Sequence, residues 1–194
     1  MDTQGAKAYI LARLRKDLPA ARTYHSLEHT LDVYASAISI AEQEGVTGED
    51  LALLKIAALF HDSGFAVQDM DHEQASCDIV REVLPGFGFD QRQVERICGL
   101  IMATRIPQSP RDHLEQILCD ADLDYLGRPD FKRIGDTLFA EMRAYGALST
   151  EREWNELQVR FIEKHQYFTA TNKREREARK QEHLAGVRKW LLDH

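Results

Sequence analysis

Residues Leu51 to Phe60 are apolar at every position except Lys55, and they run without a break into His61-Asp62 before Ser63-Gly64 ends them. Apolar side chains occur on every side of this segment, so a helix over 49–62 is a core helix buried by its neighbours. Its last two residues are out of keeping with that burial. Burying a carboxylate beside an imidazole costs several kcal/mol unless each is paired or holds a metal. A cation at the helix end, where free backbone carbonyls also favour positive charge, satisfies both groups. The alternative is a capped helix end with both side chains turned to water.

The other apolar segments keep the same helical rhythm. Ile10, Leu11, Leu14 and Leu18 share one face of a segment from Ala6 that Pro19 ends. Ser26 is placed to cap a helix that runs through Glu44 to Gly45, with Leu27, Leu31, Tyr34, Ile38 and Ala41 at helical spacing. Further helices are expected over 71–84, 90–103, 111–126 and 130–145, then one capped by Ser149 or Thr150 that carries Trp154 to Phe168, and a last one over 172–192. Hairpin dipeptides and alternating β-branched runs are absent, which argues against strands. The expectation is an all-α bundle of about eight or nine helices, one domain over 1–194 with its core at about 24–168.

Composition narrows the function classes. A net charge of −7 argues against nucleic acid as a bulk partner, because phosphate backbones demand a basic face. A small phosphorylated substrate stays possible, since a divalent cation can supply positive potential locally. No run approaches the roughly 18–20 apolar residues of a membrane span. The N-terminus has no basic region followed by an apolar stretch, so no secretory leader is expected. Cys77, Cys98 and Cys119 are odd in number, far apart and form no CxxC pair. They read as buried thiols of a reducing compartment, which predicts a cytoplasmic location.

Two further segments carry ligand-type residues. In Tyr24-His25-Ser26-Leu27-Glu28-His29, the histidines stand four apart around a helix start and can face one spot. Asp32 follows His29 by three and is placed to orient its ring. In Cys119-Asp120-Ala121-Asp122-Leu123-Asp124 the three carboxylates cannot share one helix face. Asp120 follows an apolar run and stands four before Asp124, so it is expected inward, with Asp122 in solvent.

Taken in order, His29, then His61-Asp62, then Asp120, the set resembles the H…HD…D signature of the HD superfamily of metal-dependent phosphohydrolases, which are all-helical. The resemblance implies that His29, His61, Asp62 and Asp120 bind a divalent cation (Mn, Fe, Co, Ni, Zn or Mg). It also implies cleavage of a phosphate ester, expected to belong to a nucleotide, through a metal-activated water. The segment Tyr24-His25-x-x-x-His29-x-x-Asp32-Val33 is similar to the signature of cyclic-nucleotide phosphodiesterases, in which the first histidine is the general acid. Gln158-Val159-Arg160-Phe161-Ile162-Glu163 resembles the segment with which those enzymes hold a purine, glutamine at the base edge and phenylalanine on its face. The chain departs from them where a further histidine would follow the HD pair by three, because that position is Phe65. It also resembles the smaller bacterial HD-domain phosphohydrolases.

These likenesses assign His25 as proton donor to the leaving alkoxide and Asp62 as the group that accepts or orients the proton of water. His72 could reach the site as a metal ligand or phosphate contact, and Arg105 could clamp a phosphate, or each could simply sit at a helix end. His165, on the apolar face with Phe161 and Phe168, reads as a core histidine, and the Lys173–Glu177 charge run as a solvated helix face. The rival functions are a phosphodiesterase-like diesterase, a nucleotide- and metal-sensing module without turnover, a di-iron oxygenase of the same fold, and a scaffold with no site.

Overall fold

The apolar rhythm produces helices and nothing else. A computed structural model describes all 194 residues as ten α-helices and three short 3-10 turns, with no strand. The helices are α1 (Thr3–Asp17), α2 (Leu27–Gln43), α3 (Gly48–Phe60), α4 (His72–Val83), α5 (Gln91–Ala103), α6 (His113–Asp122), α7 (Phe131–Ala144), α8 (Glu151–Lys164), α9 (Ala170–Glu175) and α10 (Glu177–Asp193). The expected all-α class is borne out.

Local chemistry sets most boundaries. Ser26 caps α2 by accepting the His29 N–H, and Gly45 turns the chain away with φ 76°, a conformation glycine adopts without strain. Asp90 and Thr150 open α5 and α8 with reciprocal capping boxes to Gln93 and Glu153. Three boundaries differ from expectation. Helix α8 stops at Lys164 instead of running to Phe168, α6 stops at Asp122 before a 3-10 turn over Asp124–Gly127, and the last helix breaks at Arg176 into α9 and α10. At the break the Arg176 guanidinium reaches the buried Asp124 carboxylate at 2.7 Å. One expected element becomes two.

Helix α3 lies at the centre, packed against α1, α2, α5 and α6. Its residues Leu53, Leu54 and Ile56 to Phe60 are all buried, within a core of 28 residues. Fully burying each large side chain contributes about 1.5–3 kcal/mol, so this helix anchors the fold. A second, smaller cluster joins Tyr24, Leu123, Tyr125, Leu126 and Phe131 to Ile162, Leu184 and Val187. The end of α3 is directed toward the seam between these two clusters, and the site lies there. No helix is long and apolar enough to cross a membrane. Cys77, Cys98 and Cys119 are buried free thiols.

Candidate metal centre and adjoining cavity

Three helix termini converge on one point. His29 stands in the first turn of α2 and is 8% exposed. His61 caps the C-terminus of α3, where the last carbonyls lack helical partners. One of them, the Ala58 carbonyl, lies 2.8 Å from His61 Nδ1. A carbonyl only accepts, so Nδ1 carries the proton and Nε2 presents its lone pair. Asp62 leads into a 3-10 turn over Ser63–Ala66. That turn is fastened to α4: the Gly64 N–H donates to Ser76 Oγ, and Ser76 donates to the His61 carbonyl. The packing leaves no room at Gly64, where a Cβ would stand 1.9 Å from the His72 carbonyl oxygen.

The fourth group comes from the end of α6. Asp122 Oδ1 lies 3.3 Å from His29 Nε2 and 3.5 Å from His61 Nε2, while Asp62 Oδ2 lies 3.4 Å and 3.2 Å from the same nitrogens. The ligand atoms of His29, His61 and Asp122 fall within 4.8 Å of one another. His29 Nε2, His61 Nε2 and Asp62 Oδ2 are buried and make no hydrogen bond, an arrangement that costs about 1–3 kcal/mol for each group. Burial opposes charge on every member, yet attraction between rings and carboxylates prevails. His29 is pushed up to about 9 by Asp122 and Asp62, and Asp122 is held down to about 2 by His29 and His61. His61 shifts up and Asp62 down against the same burial. Two carboxylates, Asp62 buried and Asp122 partly so, thus call for positive charge between them. A divalent cation supplies it while the imidazoles stay neutral and offer lone pairs, so the donor set fits such an ion.

Asp120 does not take part, which corrects the sequence expectation. Its carboxylate is fully buried but accepts from the Phe168 N–H, the Thr169 N–H and the Thr169 hydroxyl at 2.7–2.8 Å. Burial pushes its pKa up to about 6 despite those bonds. Residues two apart on a helix point roughly opposite ways, so Asp120 faces the segment leading into α9 and Asp122 faces the histidines. An apolar run correctly marked the segment as interior, but the interior has two sides here. Asp32 is also elsewhere: it is 39% exposed and pairs with Arg128 at 2.9 Å, too far outside to orient His29. Arg105 is spent on Asp71 at 3.0 Å and Glu73 at 3.4 Å, and is not among the cavity-lining residues.

Beside the cluster opens a cavity of about 330 Å³. Asp62, Asp122, His25, His72 and Glu73 form its polar end; Gln158 and Phe161 stand on the remaining wall with Leu126, Phe131, Leu138 and Trp154. His72 Nε2 is 3.5 Å from Asp62 Oδ1, and its ring stacks on Phe65 at 3.9 Å. Phe65 also packs against the His25 ring at 4.2 Å, so the residue standing where a further histidine would be braces two imidazoles. His25 Nδ1 lies 2.5 Å from Glu141 Oε1. Glu141 belongs to α7, is 3% exposed, and also accepts from Arg22 and from the backbone N–H groups of Tyr24 and His25. Sequence reasoning missed both Asp122 and Glu141. Glu141 had a signal in principle, an acidic residue on the apolar face of α7. His165, read as a core histidine, accepts from the buried Lys180 ammonium.

An all-helical bundle that gathers two histidines and two aspartates at its centre is a recognisable class. The HD domain family model matches residues 26–124, just over half of the chain, and the chain belongs to that family. Two solved structures share the fold. One is a predicted HD superfamily hydrolase from an uncultured Thermotogales bacterium (23% identity, 96% of this chain and 91% of that one, TM-score 0.63). The other is Bacillus subtilis YpgQ in complex with ADP (23% identity, 100% and 97%, TM-score 0.67). No curated protein matches the chain. His25, Glu141, Gln158 and Phe161 all lie outside the matched residues.

Proposed function

We propose that this chain is a metal-dependent phosphohydrolase that cleaves a small phosphate ester, with a nucleotide as the expected substrate. The observation that carries the reading is the convergence of His29 Nε2, His61 Nε2 and Asp62 Oδ2, unpartnered, with Asp122 Oδ1 at the polar end of an open cavity. His29, His61, Asp62 and Asp122 would hold a divalent cation, which when bound polarises phosphoryl oxygens and lowers the pKa of water.

The remaining steps belong to side chains. Asp62 turns Oδ2 toward the two histidines and Oδ1 toward His72, so Oδ1 is available to accept the proton of an attacking water. His25 has Nδ1–H committed to Glu141, which leaves Nε2 as the atom that passes a proton to the leaving oxygen. His72, stacked on Phe65, is placed to donate to a phosphoryl oxygen. Phe161 and Trp154 offer aromatic faces to the organic part of the substrate, and the Gln158 amide offers a neutral polar contact beside them. The ADP held by YpgQ makes nucleotides the first substrates to try.

The test is to strip the purified protein of metal, restore Mn, Fe, Co, Ni, Zn or Mg singly, and assay p-nitrophenyl phosphate, bis-p-nitrophenyl phosphate and a nucleotide panel. Hydrolysis that depends on the restored ion is expected. No turnover with any ion, joined to no ion retained, sinks the reading; nucleotide binding without turnover would make the chain a sensing module instead. Faster cleavage of the bis-ester would favour the diesterase alternative that the Gln158–Phe161 segment suggests.

A further inference from the structure

Charge is distributed unevenly around the cavity. No lysine or arginine lines it. Its polar end carries the carboxylates of Asp62, Asp122 and Glu73, and the histidines His25 and His72 are the only other groups there able to carry positive charge. A divalent cation held by His29, His61, Asp62 and Asp122 would cancel the two aspartates and leave no surplus. Of the guanidiniums just outside, Arg105 is already paired with Asp71 and Glu73, and Arg22 with Asp69 and Glu141. The rest of the wall is mostly apolar, with Leu126, Phe131, Leu138, Met142, Trp154 and Leu157. Its neutral polar groups are the Gln158 amide, whose Nε2 donates to Asn155, the Thr104 hydroxyl, which donates to the Ile101 carbonyl, and the hydroxyls of Tyr24 and Tyr125. Each phosphate beyond the first adds negative charge that must be desolvated, and no fixed cation is there to receive it.

We infer that this cavity, unlike that of YpgQ, which holds ADP, takes singly phosphorylated ligands and rejects di- and triphosphates, and that it selects the organic part by apolar bulk instead of by hydrogen bonding to a particular base. This inference rests on the phosphohydrolase reading for the site but concerns only the cavity wall. It places the discriminating power in what the wall lacks: phosphate-binding Arg and Lys side chains at one end, and base-reading donors at the other.

Two measurements test it. Calorimetric titration of the protein in excess Mn²⁺ with the thiophosphates of AMP, ADP and ATP is expected to show the monophosphate binding at least tenfold tighter than either of the others. Steady-state kcat/KM is expected to be at least tenfold higher for AMP and phenyl phosphate than for ADP and ATP, with the purine and pyrimidine monophosphates within about tenfold of one another. A preference for the AMP analogue of less than tenfold overturns the inference, as does a preference of more than about tenfold for one base. Should the binding order hold while no ester is turned over, the phosphohydrolase reading fails and the cavity reading stands; absence of both binding and turnover ends both. A Leu138→Arg variant puts a cation on the wall and is expected to raise affinity for the ADP analogue at least tenfold relative to the AMP analogue. A folded variant with an unchanged ratio counts against the charge argument.

Discussion

The His25 ring donates its Nδ1–H to Glu141 across 2.5 Å, although the two residues are 116 positions apart in the chain. Burial works to raise the Glu141 pKa, but His25 and Arg22 outweigh it and hold the carboxylate down at about 2. A permanently charged carboxylate behind an imidazole fixes which nitrogen is free and how the ring is turned. If His25 is the proton donor to the leaving group, the pair should matter in proportion to how badly that group needs a proton. Changing His25 to Ala, or Glu141 to Gln, is expected to slow hydrolysis of an alkyl phosphate by about a hundredfold or more, the usual scale of general acid catalysis. p-Nitrophenyl phosphate, whose leaving group departs unprotonated, should slow by less than about tenfold. Equal losses on both substrates would remove His25 from the proton-transfer step.

The two aspartates of α6 make opposite predictions. Replacing Asp122 by Asn removes a charged ligand, so bound metal measured by mass spectrometry should fall by about tenfold or more, with the fold retained. Replacing Asp120 by Asn should leave the metal content unchanged, because its oxygens face Phe168 and Thr169. The amide would turn an NH2 toward donors, and the protein should lose about 1–3 kcal/mol in urea unfolding. Metal loss in the Asp120 variant together with retention in the Asp122 variant would restore the assignment read from the sequence.

That exchange shows where the sequence was informative and where it stopped. His29 and His61-Asp62 were legible because helix periodicity and capping chemistry are local: Ser26 fixes the start of α2, and an all-apolar α3 has to deliver its last residues into the core. The choice between Asp120 and Asp122 depends on what covers each side of α6. One side is covered by the segment entering α9, some fifty residues later, and no local signal reports that. Glu141 carried a local signal, a carboxylate on the apolar face of α7, but its partners Arg22, Tyr24 and His25 come from the far end of the chain, so its role was not legible. Asp32 had the right spacing but the wrong neighbour, because Arg128 claims it at the surface. Lengths of apolar runs also blurred two helix ends, at Lys164 and Arg176, where a turn or a single ion pair intervenes.

Gly64 joins the metal cluster to His72 through backbone alone. A methyl group there would stand 1.9 Å from the His72 carbonyl oxygen and 2.9 Å from the Ser76 nitrogen, both backbone atoms of α4 that cannot rotate aside. Gly64→Ala is therefore expected to push α4 away from the turn over Ser63–Ala66, breaking the Ser76 bonds to Gly64 and His61. Overpacking of this kind costs about 1–3 kcal/mol. It should also reduce metal affinity, because Asp62 and His61 lose their support. Thermal unfolding with and without added metal separates the two effects; an unchanged Tm would show that the turn can yield.

His165 predicts how stability responds to acid. Burial, and then the Lys180 ammonium 3.3 Å from Nδ1, lower its pKa from the ordinary 6.5 to about 4. The ring must stay neutral, since Nδ1 accepts from Lys180. As pH falls below about 6.5 the unfolded chain takes up a proton that the folded chain refuses until about pH 4, so stability declines across that window and then levels. Two and a half units correspond to at most about 3 kcal/mol. Urea unfolding of wild type and His165→Gln, at steps from pH 7 to pH 4, isolates the contribution, because every other titrating group is common to both proteins. Glutamine can still accept from Lys180 and has no proton to gain, so the difference in unfolding free energy between the two proteins should shift toward the variant by about 2–3 kcal/mol over that range. A difference that stays flat with pH would mean that the folded protein admits the proton at His165 as readily as the unfolded chain does.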